Sequence, residues 1–587
     1  MAAIPEHEFK VTQIFALIAK ILGPERSFYW LALVYGVGIS LLSLATPISV
    51  QMLINTVANT AMAAPLIVLS ATLFVLLLAS GLLNALRIHL MEIFGRRFYA
   101  RLVAEIGMRA IYARNPFFND DGRGPLFNRY FDIIIIQKNI PGLLVGGFTL
   151  ILQAGVGFIL VSFYHPLFLA MNAVIIAALW AIWLIWGKRA IRTAIDLSHS
   201  KHEVAAWLEG LAASNGFFKT QRHVAYAFDQ TDAQTANYVN VHKKHFRQHF
   251  SQTIALLILY ALASAVLLGL GGWLVIQGQL SLGQLVAAEL VLSAVFFGLS
   301  QLSPYMIYFY DLCAAVEELS RFLSIELEDA PHRDEFDCVD SSLAFVDVTG
   351  EARGKPAQLD FKIPSGATTL AASSRHGVQR LVTHLLKRVE EPDTGYIALG
   401  NADIKAAGTN QLHQNIVVLD RPTVIEMTIR EYLSLCCDDV GPARMLEVLT
   451  VVGLDRVISR SKKGLDTYIS ANGWPLSITE TMLLKLAAAI LSRPRVLVLN
   501  QLYDLANEQV MRRALGYLQA DKSNTVIYFS RRQHDVGCDT FLYLHDDGQS
   551  VFTSFNEFKR VAYPEEPTTP PGDKDKTTPQ IAIVKDV

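Results

Sequence analysis

Charge is scarce in this sequence. Of 587 residues only 18% are Asp, Glu, Lys or Arg, against about 25% in ordinary soluble domains, while 52% are apolar. That deficit excludes a highly solvated or disordered chain and points to a membrane component. Basic and acidic residues nearly cancel, 51 against 53, leaving a net charge of −2. Nothing in that balance argues for a nucleic-acid partner. Cysteine is scarcer still. Cys313, Cys338, Cys436, Cys437 and Cys538 are irregularly spaced, which excludes a disulfide framework and a cysteine-based metal centre. The expected state is inert, reduced thiols.

The shortage of charge is concentrated. From Ser27 to Leu86 there is no charged residue at all. That run is too long for one crossing, which needs about 20 residues. A polar break around Gln51 to Asn59 divides it into helices expected over 28–50 and 64–86. Further apolar runs at 141–163 and 166–187 hinge at Tyr164-His165-Pro166. A last uncharged stretch from Gln248 to Ala288 is broken by Gln277-Gly278-Gln279-Leu280-Ser281, predicting helices over 252–276 and 282–306. Six crossings result.

Loop charge orients them. The segment after the second crossing carries Arg96, Arg97, Arg101, Arg109, Arg114, Arg123, Arg129 and Lys138. The one after the fourth carries a second set, from Lys188 to Arg247, and the three short connections on the other side carry no Lys or Arg. Both long basic segments and both termini are therefore expected in the cytoplasm. The alternation of apolar and polar residues from Phe9 to Glu25 predicts an interfacial helix, and no cleavable signal peptide is expected. Arg87 and Glu92 are assigned to a cytoplasmic extension of the second helix. Glu289, inside the sixth, is expensive in hydrocarbon and a candidate for a cationic substrate group or a proton. Tyr305 and Tyr308, near that helix's cytoplasmic end, are candidates for a substrate path.

After Phe322 the composition changes. An acidic connector, Glu326 to Asp340, leads into short apolar runs at 369–372, 416–419, 496–499 and 525–529 with helical segments between them. Strands alternating with helices imply a largely parallel α/β sheet. The expected organisation is an interfacial helix over 1–26, a six-helix membrane domain over 27–322 and a linker over 323–340. An α/β domain over 341–562 and a disordered tail over 563–587 follow.

Six helices with two long extensions, followed by an α/β domain, resemble the half-transporters of the ABC exporter family over about residues 9–560. Asn115-Pro116-Phe117-Phe118 with Gly122 and Asn128-Arg129 is similar to that family's stretch after the second helix. Ser281-Leu282-Gly283-Gln284-Leu285 is similar to its entry into the sixth. The resemblance implies coupling helices near 113–125 and 207–220. It also implies a P-loop-NTPase-like fold for the α/β domain, and there the reactive residues are missing. Counting back from Pro392-Asp393-Thr394-Gly395 places Gln379 at the phosphate-binding lysine and Arg380 at the Mg²⁺-binding hydroxyl. Gln379 cannot neutralise phosphate, and Arg380 cannot hold a divalent cation. Val496-Leu497-Val498-Leu499 ends in the amides Asn500-Gln501 where the family carries a metal-binding Asp and a catalytic Glu. Asp420 stands for the loop glutamine and Arg531 for the switch histidine. Alanine, at about Ala352, stands for the adenine-stacking aromatic.

Leu476-Ser477-Ile478-Thr479-Glu480 replaces the signature Leu-Ser-Gly-Gly-Gln, 24 positions before Asn500. Ser477 is left as a possible contact to ATP held by a partner. Hydrolysis needs the metal and an oriented water together, so this chain's own site is expected to bind no cofactor and to be inactive, with ATP and Mg²⁺ held by a partner if anywhere. The resemblance thus implies a degenerate exporter subunit in a bacterial inner membrane, paired with an ATPase-competent half-transporter. The alternative is a non-transporting membrane scaffold that recruits another protein.

Overall fold

A computed structural model describes residues 11–60, 63–115, 124–328, 338–374, 376–438, 440–545 and 548–563. The first ten residues, most of the acidic connector, the centre of the 113–125 segment and the tail after Tyr563 lie outside them. The chain divides between Leu327 and Glu328 into two compact units.

The first unit is helical. A short amphipathic helix α1 (Val11–Leu22) precedes a first crossing made of α2 (Arg26–Leu42) and α3 (Ala45–Thr60), and the second is α4 (Ala63–Ile111). The third joins α5 (Asp132–Gly142) to α6 (Phe148–Ser162). The fourth and fifth are α7 (Pro166–Ala213) and α8 (Gln221–Ile276), and the sixth joins α9 (Leu282–Ser300) to α10 (Ser303–Leu323). Among the described residues six helical segments are long and apolar enough to cross a membrane. At about 1.5 Å per residue, the 56 residues of α8 reach about 84 Å, far beyond a hydrocarbon layer of about 30 Å. The excess length is polar and carries Arg222, Lys243, Lys244 and Arg247.

Two boundaries differ from expectation. The polar stretch Gln51 to Asn59 is helical, within α3. The first two crossings part after Thr60, and the first is itself interrupted at Ser43–Leu44, where Ser40 and Ser43 donate to the carbonyls of Gly36 and Ser40 at 2.8 and 2.7 Å. Serines that bond back onto the helix loosen it. The sixth helix is not continuous to 306, because Gln301–Leu302 form a turn before Pro304 opens α10. Of the segment 113–125, where a coupling helix is expected, residues 116–123 lie outside the described ones; Ala113 pairs with Leu327 as an isolated bridge, and a 3-10 stretch begins at Gly124. Between α7 and α8, residues 214–219 make only turns.

The second unit is α/β. Strands β1 (Leu343–Glu351), β2 (Pro356–Ile363), β4 (Thr394–Leu399) and β5 (Ala402–Asp403) form an antiparallel sheet in the order β2-β1-β4-β5. The main sheet takes β3 (Thr368–Ser373), β6 (Ile416–Leu419), β9 (Val496–Leu499), β10 (Thr525–Phe529), β11 (Thr540–His545) and β12 (Gly548–Phe552), with β7 (Met427–Thr428) and β8 (Tyr468–Ile469) as a separate pair. Its order is β12-β11-β3-β10-β9-β6, parallel apart from the β11–β12 hairpin. Every residue of β9 and β10 is buried, as all-apolar strands covered on both faces should be. Helices α11 (His376–Leu386) and α16 (Ile478–Ser492) lead away from the loops that carry the motif positions. These loops lie at the carboxyl edge of the parallel strands, where α/β sheets bind ligands.

Candidate functional site

Parallel register lines up Leu370, Tyr528, Leu499 and Leu419 near the carboxyl ends of β3, β10, β9 and β6. Each motif position follows one of them. Strand β3 feeds α11 through a short loop, as a phosphate loop does, and Gly377 permits the close approach of Ala352, whose backbone lies 3.4 Å from where a Cβ would stand. Ala352 itself is buried. Gln379 points inward from the first turns of α11, only 7% exposed, and its Oε1 has no hydrogen-bond partner among the described residues. Arg380 faces outward, its Nε donating to His384 Nε2 at 3.3 Å.

At the end of β9, both ends of the Asn500 amide are committed. Its Nδ2 donates to the Asp420 carbonyl at 2.8 Å, and its Oδ1 accepts from the Leu502 N–H at 3.1 Å. Gln501 opens a 3-10 turn, half-buried. Asp420 in turn pairs with Lys387 Nζ at 2.5 Å. Nearby, Lys485 donates to the carbonyls of Arg421 and Thr423 at 2.8 and 3.0 Å. Burial holds its ammonium below the ordinary lysine range, partly countered by Asp420.

Lys387, Lys485 and Asp504 were not legible in the motif positions. Asp504 is the fullest acceptor of the group: it takes the Tyr528 hydroxyl at 2.5 Å, Ser530 Oγ at 2.7 Å and the Arg531 N–H at 2.8 Å. Arg532 caps the same turn through the carbonyls of Tyr503, Asp504 and Ala506. Burial first, then Asp504, pushes the Tyr528 phenol well above its usual range. The Arg531 side chain is exposed, so the switch position contributes its backbone to this network.

Ser477 caps α16. Its Oγ accepts the Glu480 N–H at 3.3 Å, while Glu480 Oε2 accepts the Ser477 N–H at 2.8 Å. This reciprocal capping box satisfies two of the amides at the helix start, those of Ser477 and Glu480. Ser477 thus serves as the cap, and the residue that replaces the signature glutamine occupies the helix start beside it. Trp474 and Ile478 flank it, 73% and 56% exposed.

In the membrane unit, Glu289 is half-buried. Its Oε1 accepts from Ser293 at 2.9 Å, and its Oε2 is buried without a hydrogen bond among the described residues. Tyr305 and Tyr308 fill notches in the third crossing: a Cβ on Gly146 would fall 2.2 Å from the Tyr305 ring, and one on Gly142 2.9 Å from that of Tyr308. Both rings are half-buried. Arg87, within α4, is packed among helices. It is 3% exposed, with its guanidinium against Gly36 in the middle of α2 and donors on Thr149 and Asn84.

Known proteins agree with this architecture. Residues 29–300 match the family described as the ABC transporter transmembrane region. The membrane unit is similar to that region over the residues matched. Over 490 residues the chain is 21% identical to the leukotoxin translocation ATP-binding protein LktB of Mannheimia glucosida, covering 81% of this chain and 68% of that protein. The same-named protein of Bibersteinia trehalosi matches to the same extent. A solved bacterial Atm1-family ABC exporter with ATP bound superposes with a TM-score of 0.76 at 18% identity, over 90% of this chain and 96% of the other. The chain is thus an integral multi-pass membrane protein of ABC exporter half-transporter architecture, its α/β unit following the transmembrane region as in that exporter. Within the ABC exporter fold, β3, β6, β9 and β10 bring together the loops that carry Gln379, Asp420, Asn500 and Arg531. Glu289, Tyr305 and Tyr308 lie apart from them, in the other unit.

Proposed function

We propose that this chain is the catalytically degenerate subunit of an ABC exporter, forming half of a translocation path beside a half-transporter whose nucleotide site is intact. ABC exporters act as dimers in the membrane, so a second chain is needed to complete the path. The observation that carries the reading is the end of β9. There Asn500 is bonded at both ends of its amide, to Asp420 and Leu502, and no carboxylate follows it at Gln501.

The residues present do not fit Mg²⁺–ATP. A hard divalent cation takes anionic oxygens, and here Asn500 is neutral, Arg380 is cationic and Asp420 is paired to Lys387. Gln379 adds no charge for phosphate. Losing one such electrostatic group costs about 10²–10³ in rate, and this site lacks several. The other composite site would use this chain's α16, whose start is already held by Glu480. Exchange of nucleotide for hydrolysis then rests with the partner. A bacterial inner membrane, with both termini cytoplasmic, is the setting that the loop charges favour.

A second reading, a membrane scaffold that recruits protein through its inactive domain, draws on the exposed Trp474 and Ile478 beside α16. One experiment separates the two. Affinity purification of the full chain from its native membrane is expected to bring with it a half-transporter that carries the phosphate-loop Lys and the Asp-Glu pair. The chain alone is expected to release phosphate from Mg²⁺–ATP at background rate. Robust turnover by the chain alone would overturn both readings, and recovery without such a half-transporter would favour the scaffold.

A further inference from the structure

Beyond the apolar part of α7, the side chains of α10 and the 3-10 stretch Gly124–Phe131 gather a cluster that no nucleotide function uses. His199 lies twelve residues past Gly187, about 18 Å along the helix. Its Nε2 is 2.8 Å from Glu317 Oε2 and 3.7 Å from Glu318 Oε1. These three atoms all lie within 4.8 Å of one another. Glu317 and Glu318 are almost wholly buried, 1% and 0% exposed. Glu318 gives its Oε2 to Arg129, yet its Oε1 is buried, faces His199 and has no hydrogen bond among the described residues. A buried carboxylate oxygen left unsatisfied costs about 1–3 kcal/mol or more.

The imidazole is frustrated as well. Arg321 Nη2 approaches the same Nε2 at 3.0 Å. One nitrogen cannot donate to Glu317 and accept from Arg321 at once. Two carboxylates and two guanidiniums balance, but the fifth group has a choice of partners it cannot satisfy together. Arg321 is the loosest member, at 3.3 Å from Glu317 and 3.7 Å from Glu318 with its side chain 25% exposed.

We propose that His199, Glu317 and Glu318 form a divalent transition-metal site that fastens α7 to α10. Ligands about 2.1 Å from a zinc-like ion stand roughly 3.0–3.6 Å apart in tetrahedral or octahedral geometry, close to the spacings from His199 Nε2. A cation takes the lone pair of His199 Nε2 and the unsatisfied Glu318 Oε1, and Arg321 turns out to solvent. Arg129 stays on Glu318 Oε2 as an outer-shell donor that orients the ligand. The donor set, one imidazole and two carboxylates, suits Zn²⁺ and its neighbours better than Ca²⁺ or Mg²⁺, which prefer oxygen alone.

The purified full chain, stripped with chelator, tests this by equilibrium dialysis against Zn²⁺ and by the visible absorption of added Co²⁺. One ion per chain is expected, with Zn²⁺ displacing the Co²⁺ band. His199→Gln and Glu318→Gln are expected to weaken binding by at least about tenfold, whereas His413→Gln, at an exposed histidine paired with Glu328 in the α/β unit, leaves it unchanged. Arg321→Gln breaks ion pairs yet is expected to tighten Zn²⁺ binding, an outcome that a merely structural cluster would not give. It also serves if the other two variants fail to fold. No stoichiometric Zn²⁺ in the parent chain, undiminished binding in His199→Gln, or weaker binding in Arg321→Gln would each overturn the proposal.

Discussion

Asn500 and Asp420 have the shapes of nucleotide-handling residues and the bonding of structural ones. With its carbonyl holding Asn500 and its carboxylate holding Lys387, Asp420 ties β6 to β9 and to the end of α11. Changing Asn500→Asp and Gln501→Glu together therefore does not restore hydrolysis. With Gln379 and Arg380 unchanged, a deficit of about 10⁴ or more remains from those two positions alone, and Mg²⁺-dependent phosphate release is expected to stay at background. Thiol chemistry gives a second test at this scale. Burial pushes the Cys436 thiol up to about 11 and raises Cys538 further, whereas Cys437 is exposed. A raised thiol pKa means less thiolate at a given pH. At pH 8 only about one part in 10³ of Cys436 is ionised, and the thiolate is the reactive form. Timed labelling of the α/β unit with a thiol reagent is expected to modify Cys437 first, Cys436 and Cys538 lagging until the protein unfolds.

Among elements, the third crossing is the most specialised. A π-helical turn, Leu143–Gly147, interrupts it after Pro141, and glycines on that turn receive the Tyr305 ring from α10. Since a Cβ at Gly146 would fall 2.2 Å from that ring, Gly146→Ala is expected to destabilise the membrane unit by about 1–3 kcal/mol. Thermal unfolding in detergent reads this, and Tyr305→Ala in the same chain is expected to recover part of the loss. A stretch of π-helix often marks a functional position, which keeps Tyr305 of interest even though its ring packs between helices.

For the whole molecule, the basic residues on the extensions of α4, α7 and α8 and their absence from the short connections set the direction of insertion. Single cysteines at Gln279 and at Lys219, in a chain otherwise free of cysteine, test it. A membrane-impermeant maleimide applied to intact cells is expected to label Gln279→Cys and to reach Lys219→Cys only after lysis. The reverse pattern would invert the topology.

The amino-acid sequence by itself determined the number of crossings, the class of the second unit and which motif positions lack charge. Each of these depends on composition within a local window, a strand's apolar run or a spacing along the chain. Hydropathy did not reveal the interruptions inside the first and sixth crossings, because backbone bonds from Ser40 and Ser43 and the turn before Pro304 decide them locally. Only the tertiary structure decided what the degenerate positions do instead. Lys387 reaches Asp420 from 33 residues away, Asp504 collects donors from β10, and His199 meets Glu317 and Glu318 across more than a hundred residues. Such pairs are fixed by which helices and strands pack together, and no local pattern records that. Arg87 is the sharpest case: nothing in its local pattern shows that packing against Gly36 buries it among helices.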